Sequence, residues 1–359
     1  MRAAQRASRR VRSDICAGVS VTSVEFGGAG AATAHGAVEA WRNLEPGRAA
    51  LRSIRRLATN KGDTTVYRLE LADKQVVIAK RCRSERAAVE AAVYEQVLPR
   101  LSAPTLRYYG KSDDFGTGFS WVFVEEALGS EYVADDPDHR AAAARWLAAL
   151  HTEASALDLA HVLPARGVSY FRECSRAAYA AIAAGLSNAA LAPADRGMLK
   201  AVLATAELLD DRWPAVERIL GRVPSTVVHN DFTIDNLRVQ RRDGSLVAIP
   251  FDWEDSGWGD SAVDLAQMFD HPSYSTRPDL AVYESEIRSV WPHLSGEDLR
   301  AVGELGSLLR IVAELHWESW RLSYDYQSAR ELAWLAEYLT FARDHLTRVD
   351  RICVRAGWL

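Results

Sequence analysis

The chain has 359 residues, 43 basic and 48 acidic side chains, a formal net charge of −5, and 48% hydrophobic against 25% charged positions. That composition is ordinary for a soluble globular enzyme, and at roughly 100 to 200 residues per domain the length suggests two lobes. Cys16, Cys82, Cys174 and Cys353 lie far apart and form no C-x-x-C pair, which excludes a disulfide scaffold and a zinc spacing, while the mildly acidic balance argues against a protein that neutralises phosphate backbones.

No apolar run approaches the roughly 18 residues of a membrane span, so a soluble, cytoplasmic protein with no membrane and no nucleic-acid partner is expected. Met1 to Asp14 carries Arg2, Arg6, Arg9, Arg10 and Arg12 against one acid, which reads as a basic tail or a targeting segment. Gly27 to Gly36 is small and flexible and reads as leader or linker. Two β-rich runs follow, Thr64 to Leu71 and Gln75 to Lys80, joined by Ala72-Asp73-Lys74 as a hairpin. An amphipathic helix is predicted from Glu85 to Leu98, where Pro99 ends or kinks it, and a further strand from Ser120 to Val124 runs into Glu125 to Gly129. From Pro137 the pattern is mostly helical, clearest at Ala141 to His151, Arg196 to Arg212, Leu299 to Tyr324 and Ala329 to Val349. Trp317, Trp320 and Trp334 stand at near-helical spacing in the last two, where core packing is expected for most of them. Two short apolar runs, Thr226 to Val228 and Leu246 to Ile249, interrupt the helices and flank the polar segment His229 to Asn236.

That segment, His229-Asn230-Asp231-Phe232-Thr233-Ile234-Asp235-Asn236, and the following Phe251-Asp252-Trp253-Glu254 carry the chemistry. Together they supply one carboxylate able to accept a hydroxyl proton, and an amide oxygen with a second carboxylate able to hold a hard divalent cation. Phosphoryl transfer from a nucleotide needs such a set, because it depends on in-line positioning and charge neutralisation.

The run H-x-D-x-x-x-x-N, then D-W-E, then Gly259-Asp260-Ser261-Ala262-Val263-Asp264-Leu265-Ala266 resembles the aminoglycoside phosphotransferase and choline kinase family. The resemblance implies an α+β, bilobal protein-kinase-like fold with a small β-rich N-lobe and a larger helical C-lobe. It divides the chain into an N-terminal extension (1–50), a nucleotide-binding N-lobe and hinge (51–129) and a helical C-lobe with catalytic loop and acceptor site (130–359). It implies Asp231 as the catalytic carboxylate, His229 beside it as a loop brace, Asn236 and Asp252 as magnesium ligands, and Asp264 as support for the loop. A kinase fold also needs a strand lysine on the α- and β-phosphates and a helix glutamate holding it. Lys80 ends the second strand, and among Glu85, Glu90 and Glu95 the family's E-x-x-x-Y stretch favours Glu90. Gly62 and Thr64 are assigned to the phosphate loop and Glu126 to the hinge that meets adenine. Taken singly, any such lysine or glutamate would read as a solvated surface charge. The sequence departs from the family at Asn230, where glycine is usual, at Thr233-Ile234-Asp235, at Pro250 and at Ser261; Pro250 lacks a donor, which predicts an edge strand or a local bulge.

Between Asp252 and Glu286 nine acids (252, 254, 255, 260, 264, 270, 279, 284 and 286) face the single base Arg277, an excess suited to a cationic acceptor. Glu314, Trp317, Glu318 and Asp325 add acids and an aromatic face. The expected activity is an ATP- and magnesium-dependent O-phosphotransferase, GTP remaining open as donor, acting on a hydroxyl of a small molecule such as an aminoglycoside-like antibiotic or an amino alcohol, with antibiotic resistance as one consequence. A choline, ethanolamine, homoserine or sugar kinase is the alternative of the same fold. A non-catalytic nucleotide-binding regulator is the alternative of another class. A protein kinase is disfavoured because no activation segment separates Asp252 from Asp264.

Overall fold

The structure, a computed structural model, describes residues 36–45, 47, 49–59, 63–269, 275–323, 326 and 328–355. In chain order the elements are α1 (Gly36–Leu44), β1 (Leu51–Leu57), β2 (Thr65–Leu71), β3 (Val76–Arg83), α2 (Ser84–Ala92), β4 (Tyr108–Asp114), β5 (Phe119–Glu125), β6 (Ser130–Glu131), α3 (Pro137–Ala154) and β7 (Ala165–Arg166). They continue with α4 (Val168–Gly185), α5 (Pro193–Leu220), β8 (Ser225–Val228), β9 (Leu237–Arg242), β10 (Ser245–Pro250), β11 (Gly257–Asp260), α6 (Ala262–Ala266), α7 (Leu280–Ile287), α8 (Gly296–Trp317) and α9 (Ala329–Arg355). No helix among the described residues is long and apolar enough to cross a membrane. Cys82, Cys174 and Cys353 are buried free thiols.

The chain falls into two compact units, one of residues up to Ala142 with Asp231–Ser256, the other Ala143–Asn230 with Gly257–Leu359. This division does not follow a single cut after residue 129, because β6 pairs with β9, Ser130 opposite Val239, and so ties the 231–256 segment to the chain just beyond β5.

The first unit is built on a five-stranded sheet of order β1-β2-β3-β5-β4, antiparallel throughout. The β2–β3 hairpin is where the sequence predicts it. The two strands that the sequence pattern does not reveal, β1 and β4, are the sheet's edges: Arg52, Arg55 and Arg56 on one and Lys111, Asp113 and Asp114 on the other break the apolar alternation. Charged edges discourage strand addition, and the same charges erase the strand signal. Of the segment read as an extension, residues 36–44 form α1, whose Ala37, Val38, Ala40 and Trp41 pack with Ile54, Leu69, Leu71, Val77, Ala79, Trp121 and Phe123. Trp41 meets Phe123 at 5.4 Å and Tyr109 edge-on at 5.5 Å. The basic run and the rest of the glycine-rich segment lie outside the described residues. α2 continues through a π-helical turn, Val93–Val97, into a 3-10 turn, Leu98–Arg100, that contains Pro99. A second sheet of order β10-β9-β6 completes the unit. Pro250 is the last residue of its edge strand β10, opposite Leu237, so no ladder bond needs the donor it lacks.

In the second unit α8 is buried over most of its length, from Leu299 to Leu315. α6 lies against it so closely that a Cβ at Gly306 would stand 1.8 Å from the carbonyl oxygen of Ala262, which explains the absence of a side chain there. A small sheet of order β7-β11-β8 joins the approach to the 229–230 loop with the approach to α6. The three tryptophans, most of which were expected in the core, are not fully buried: Trp317 and Trp334 are half-buried and Trp320 is 45% exposed. α8 ends at Trp317 and a 3-10 turn, Ser319–Leu322, changes the direction of the chain, so helical spacing no longer applies beyond it. Arg310 stacks on Trp317 and Arg321 on Trp320, while Trp320 and Trp334 meet edge to face at 6.0 Å.

Candidate active site

Alternation along β3 turns Val77 and Ala79 toward α1 and leaves Lys80 on the opposite face, beneath α2. There the Lys80 ammonium, 7% exposed, donates to Glu90 Oε2 at 2.8 Å, lies 2.7 Å from Glu254 Oε2, and makes a short contact with Asp252 Oδ1. Burial opposes the charge on Lys80, but Asp252, Glu90 and Glu254 outweigh it and hold the amine well above its ordinary range. Lys80 is therefore a permanent cation. Arg86 on α2 donates to the other Glu254 oxygen at 3.2 Å. Three carboxylates thus face two cations. Cys82 shares the cluster with Glu90 and Glu254, but burial lifts its thiol to about 12, so it stays protonated and adds no ligand charge.

The Lys80–Glu90 pair is the one chosen from sequence. Glu254 and Arg86 were not singled out, although Glu254 belongs to the D-W-E run; the signal was its place two residues beyond Asp252, across the fully buried Trp253.

Asn236 and Asp252 bracket the β9–β10 hairpin. Asn236 directly precedes β9, Asp252 follows β10 by one residue, and Phe251 N–H donates to the Asn236 carbonyl at 3.1 Å. The hairpin register thus brings two residues sixteen positions apart to the same end of one ladder. The Asn236 amide nitrogen donates to the carbonyl and to Oδ2 of Asp231, each at 2.9 Å. This turns the amide oxygen away and leaves it to accept a further partner. An amide oxygen and a carboxylate are hard donors of the kind a divalent cation such as magnesium takes. Asp252 has φ of 69°, a left-handed backbone that is costly for a non-glycine residue and that clusters at functional sites. Asp231 is half-buried.

The second unit contains the brace. Asp264, 1% exposed, accepts from the backbone N–H of His229 and of Asn230, each at 2.8 Å, and from His151 Nε2 at 3.2 Å. His151 Nδ1 in turn lies 2.9 Å from the Tyr283 hydroxyl, and because Asp264 only accepts, Nε2 carries a proton. Burial works against the Asp264 charge, yet His151 and His229, the latter also through its backbone amide, outweigh it and hold the carboxyl below its ordinary range. His229 is itself fully buried, which suits bracing rather than reaction. Asn230, where the resemblance implies glycine, has φ of 64°, a left-handed conformation that asparagine tolerates better than most larger residues. Its carbonyl accepts from Arg310, whose Nε donates to Glu314 Oε1 at 2.7 Å. Sequence reading missed His151, Tyr283 and this ion pair; the signal for the last was a charged i,i+4 pair inside the apolar run Leu308 to Leu315.

Gly62 lies outside the described residues. Thr64 precedes β2 and is buried, with a hydroxyl that has no partner among the described residues. The Glu126 carboxylate is held by Arg68 Nε at 2.7 Å and by a second guanidinium nitrogen at 3.1 Å; its residue lines a cavity of about 500 Å³ together with Leu128, Gly129, Arg241 and Leu246.

Much of the acid excess between 252 and 286 has structural work. Asp252 and Glu254 hold Lys80, and Asp264 holds the loop. Asp260 accepts from Val168 N–H at the start of α4, Asp279 caps α7 by accepting from Ala281 and Val282, Glu284 pairs with Arg288 at 3.0 Å, and Glu286 lies 3.6 Å from Arg145. The excess is thus no measure of charge left over for a ligand.

A strand lysine thus meets a helix glutamate and an aspartate, and an asparagine and an aspartate stand together at one end of a hairpin. The model of the phosphotransferase enzyme family, APH, matches residues 54–294, and the chain belongs to that family. It is therefore a phosphotransferase enzyme. Solved structures with the same fold include the choline kinase of Cryptosporidium parvum Iowa II, 10% identical over 86% of this chain and 91% of that chain, with a TM-score of 0.56. The GDP and kanamycin complex of APH(2")-IIia is 13% identical over 86% and 97%, with a TM-score of 0.57. The microcompartment-associated aminopropanol kinase is 14% identical over 90% and 99%, with a TM-score of 0.55. A comparison with the curated proteins gives no match.

Proposed function

We propose that the chain is an ATP- and magnesium-dependent O-phosphotransferase whose acceptor is a small alcohol bearing an amine. The observation that carries this reading is the convergence of Glu90, Asp252 and Glu254 on Lys80. In its working state the Lys80 ammonium neutralises the donor's phosphates while Glu90 keeps it from swinging away. Asn236, through its amide oxygen, and Asp252, through its carboxylate, hold magnesium, which neutralises charge on the nucleotide phosphates when bound. Asp231 accepts the acceptor's hydroxyl proton, its carboxylate oriented by the Asn236 amide. The amine-bearing class is suggested by the choline, aminopropanol and kanamycin ligands or activities of the structural neighbours. It also accords with the half-exposed indoles: Trp317 and Trp320 line a cavity of about 690 Å³ with His316 and Asn188.

The test is ADP release with MgATP and a panel of choline, ethanolamine, 1-amino-2-propanol and kanamycin. Acceptor-dependent release that disappears on chelating magnesium and in Asp252→Asn is expected. Release unaffected by either change would contradict the proposed metal ligands, and acceptor-independent nucleotide binding without turnover would favour a regulator.

A further inference from the structure

The peptide group joining Asn230 to Asp231 is held from the carbonyl side, and the residue before it from the amide side. Asn230 N–H donates to Asp264 Oδ1 at 2.8 Å, and the Asn230 carbonyl accepts from Arg310 Nη1. With φ of 64° at Asn230, the chain has little steric latitude between these two anchors. The carbonyl of Asn230 lies in the same rigid plane as the nitrogen of Asp231, so whatever fixes that oxygen fixes the direction in which Asp231 leaves the loop.

Arg310 is held as firmly as the group it holds. It is buried in α8, and its Nε donates to Glu314 Oε1 one helical turn on, at 2.7 Å. Glu314 is also buried, and its second oxygen lies 3.3 Å from His345 Nε2 on α9. Arg310 additionally stacks over Trp317 at 5.3 Å. A rigid guanidinium fork can serve a carboxylate with one nitrogen and a carbonyl with another; a lysine ammonium, a point charge on a flexible stem, is a poor substitute. Burying an ion pair is costly unless both members find full partners. Here the arginine's further partner is the backbone of the catalytic loop.

We propose that Arg310, fixed by Glu314, is a positioning residue for the reaction: it sets the Asn230–Asp231 peptide plane and thereby the aim of the Asp231 carboxylate. This inference rests on Asp231 being the base. It predicts a defect in turnover rather than in nucleotide binding, since displacement of a reacting group by about 1 Å is enough to cost on the order of 100-fold in rate.

The experiment compares R310K, R310M and the double variant R310M/E314M with the unmodified protein and with D231N. The readouts are ADP release with MgATP and the fastest acceptor of the panel above, water included, together with nucleotide Kd and Tm. R310M alone strands the buried Glu314, so a loss of Tm is expected from it whatever the role of Arg310. The double variant removes both charges at similar volume and should restore Tm and leave the nucleotide Kd within about twofold, yet keep kcat down by about 100-fold. R310K should keep most of the Tm and lose about tenfold in kcat, because one ammonium does not replace the fork. Recovery of kcat along with Tm in the double variant, or full kcat in R310K, would overturn the proposal and leave Arg310 a structural residue. D231N separates this from failure of the base assignment: if D231N itself turns over normally, or no acceptor supports release, the reading on which the inference rests has failed.

Discussion

Two residues with left-handed backbone, Asn230 and Asp252, stand one before the proposed base and one at the proposed metal ligand. At such a position glycine is free of strain, asparagine is tolerated and alanine is penalised by roughly 1–2 kcal/mol. Asn230→Gly should therefore retain turnover and stability, whereas Asn230→Ala should lose about that much stability in urea denaturation, with turnover falling as well. Equal behaviour of the two would mean that the backbone is not the constraint. Lys80→Met should cost more. It leaves Glu90 and Glu254 buried without their ammonium, and removing one partner of a buried cluster typically costs about 3–5 kcal/mol. Calorimetric titration should find MgATP binding lost, and a variant that binds normally would remove Lys80 from the nucleotide site. Asp231 and Asp252 were singled out in the sequence because the H-x-D-x-x-x-x-N and D-W-E runs that hold them carry the family resemblance. Glu254 and Arg310 were not, since only the fold shows that each ends beside a residue far away in sequence.

Among the elements, α1 is the plainest case of structure hidden from a sequence reading. It follows a glycine-rich stretch, and nine residues are too few for a helical pattern to stand out; its stability comes from tertiary burial of one face. Trp41 is the anchor, and Trp41→Ala should destabilise the protein by about 3–5 kcal/mol in urea denaturation. A change below about 1 kcal/mol would mean that α1 contributes little to the sheet. The β2–β3 hairpin and the long helices were legible because apolar periodicity and turn residues agree there. The edge strands β1 and β4 were illegible for the opposite reason, and so were the ends of α8, where chain reversal rather than periodicity decides which indoles are exposed.

For the molecule as a whole, pH acts through buried groups of opposite sign. Burial, the largest influence, holds His345 below its ordinary value of about 6.5, against the pull of Glu314. The unfolded chain therefore binds a proton that the folded one refuses, and this contribution to stability is present above about pH 6.5 and lost as the pH falls. Asp260 works the other way. Burial pushes its carboxyl up to about 6, so the folded state holds the proton more tightly, and the resulting stabilisation is present at low pH and lost as the pH rises through about 6. Between pH 7.5 and 5 the two oppose one another. Asp260→Asn should make Tm fall more steeply on acidification than in the unmodified protein, and His345→Leu should flatten or reverse the fall. Parallel curves for all three would contradict both assignments. The fold class followed from the family resemblance that D-x-x-x-x-N, D-W-E and D-L-A carry in that order along the chain. The grouping of residues 231–256 with the sheet was not, because it depends on the β6–β9 pairing of a two-residue strand.

The central claim is transfer of a phosphoryl group to an alcohol whose proton Asp231 accepts. It is tested most directly by mass spectrometry of acceptors after incubation with MgATP and the unmodified protein or Asp231→Asn. The account predicts an acceptor that gains one phosphoryl group with the unmodified protein, and a rate lower by about 10² to 10⁴-fold with the variant at unchanged Tm. Undiminished product formation by Asp231→Asn would contradict it.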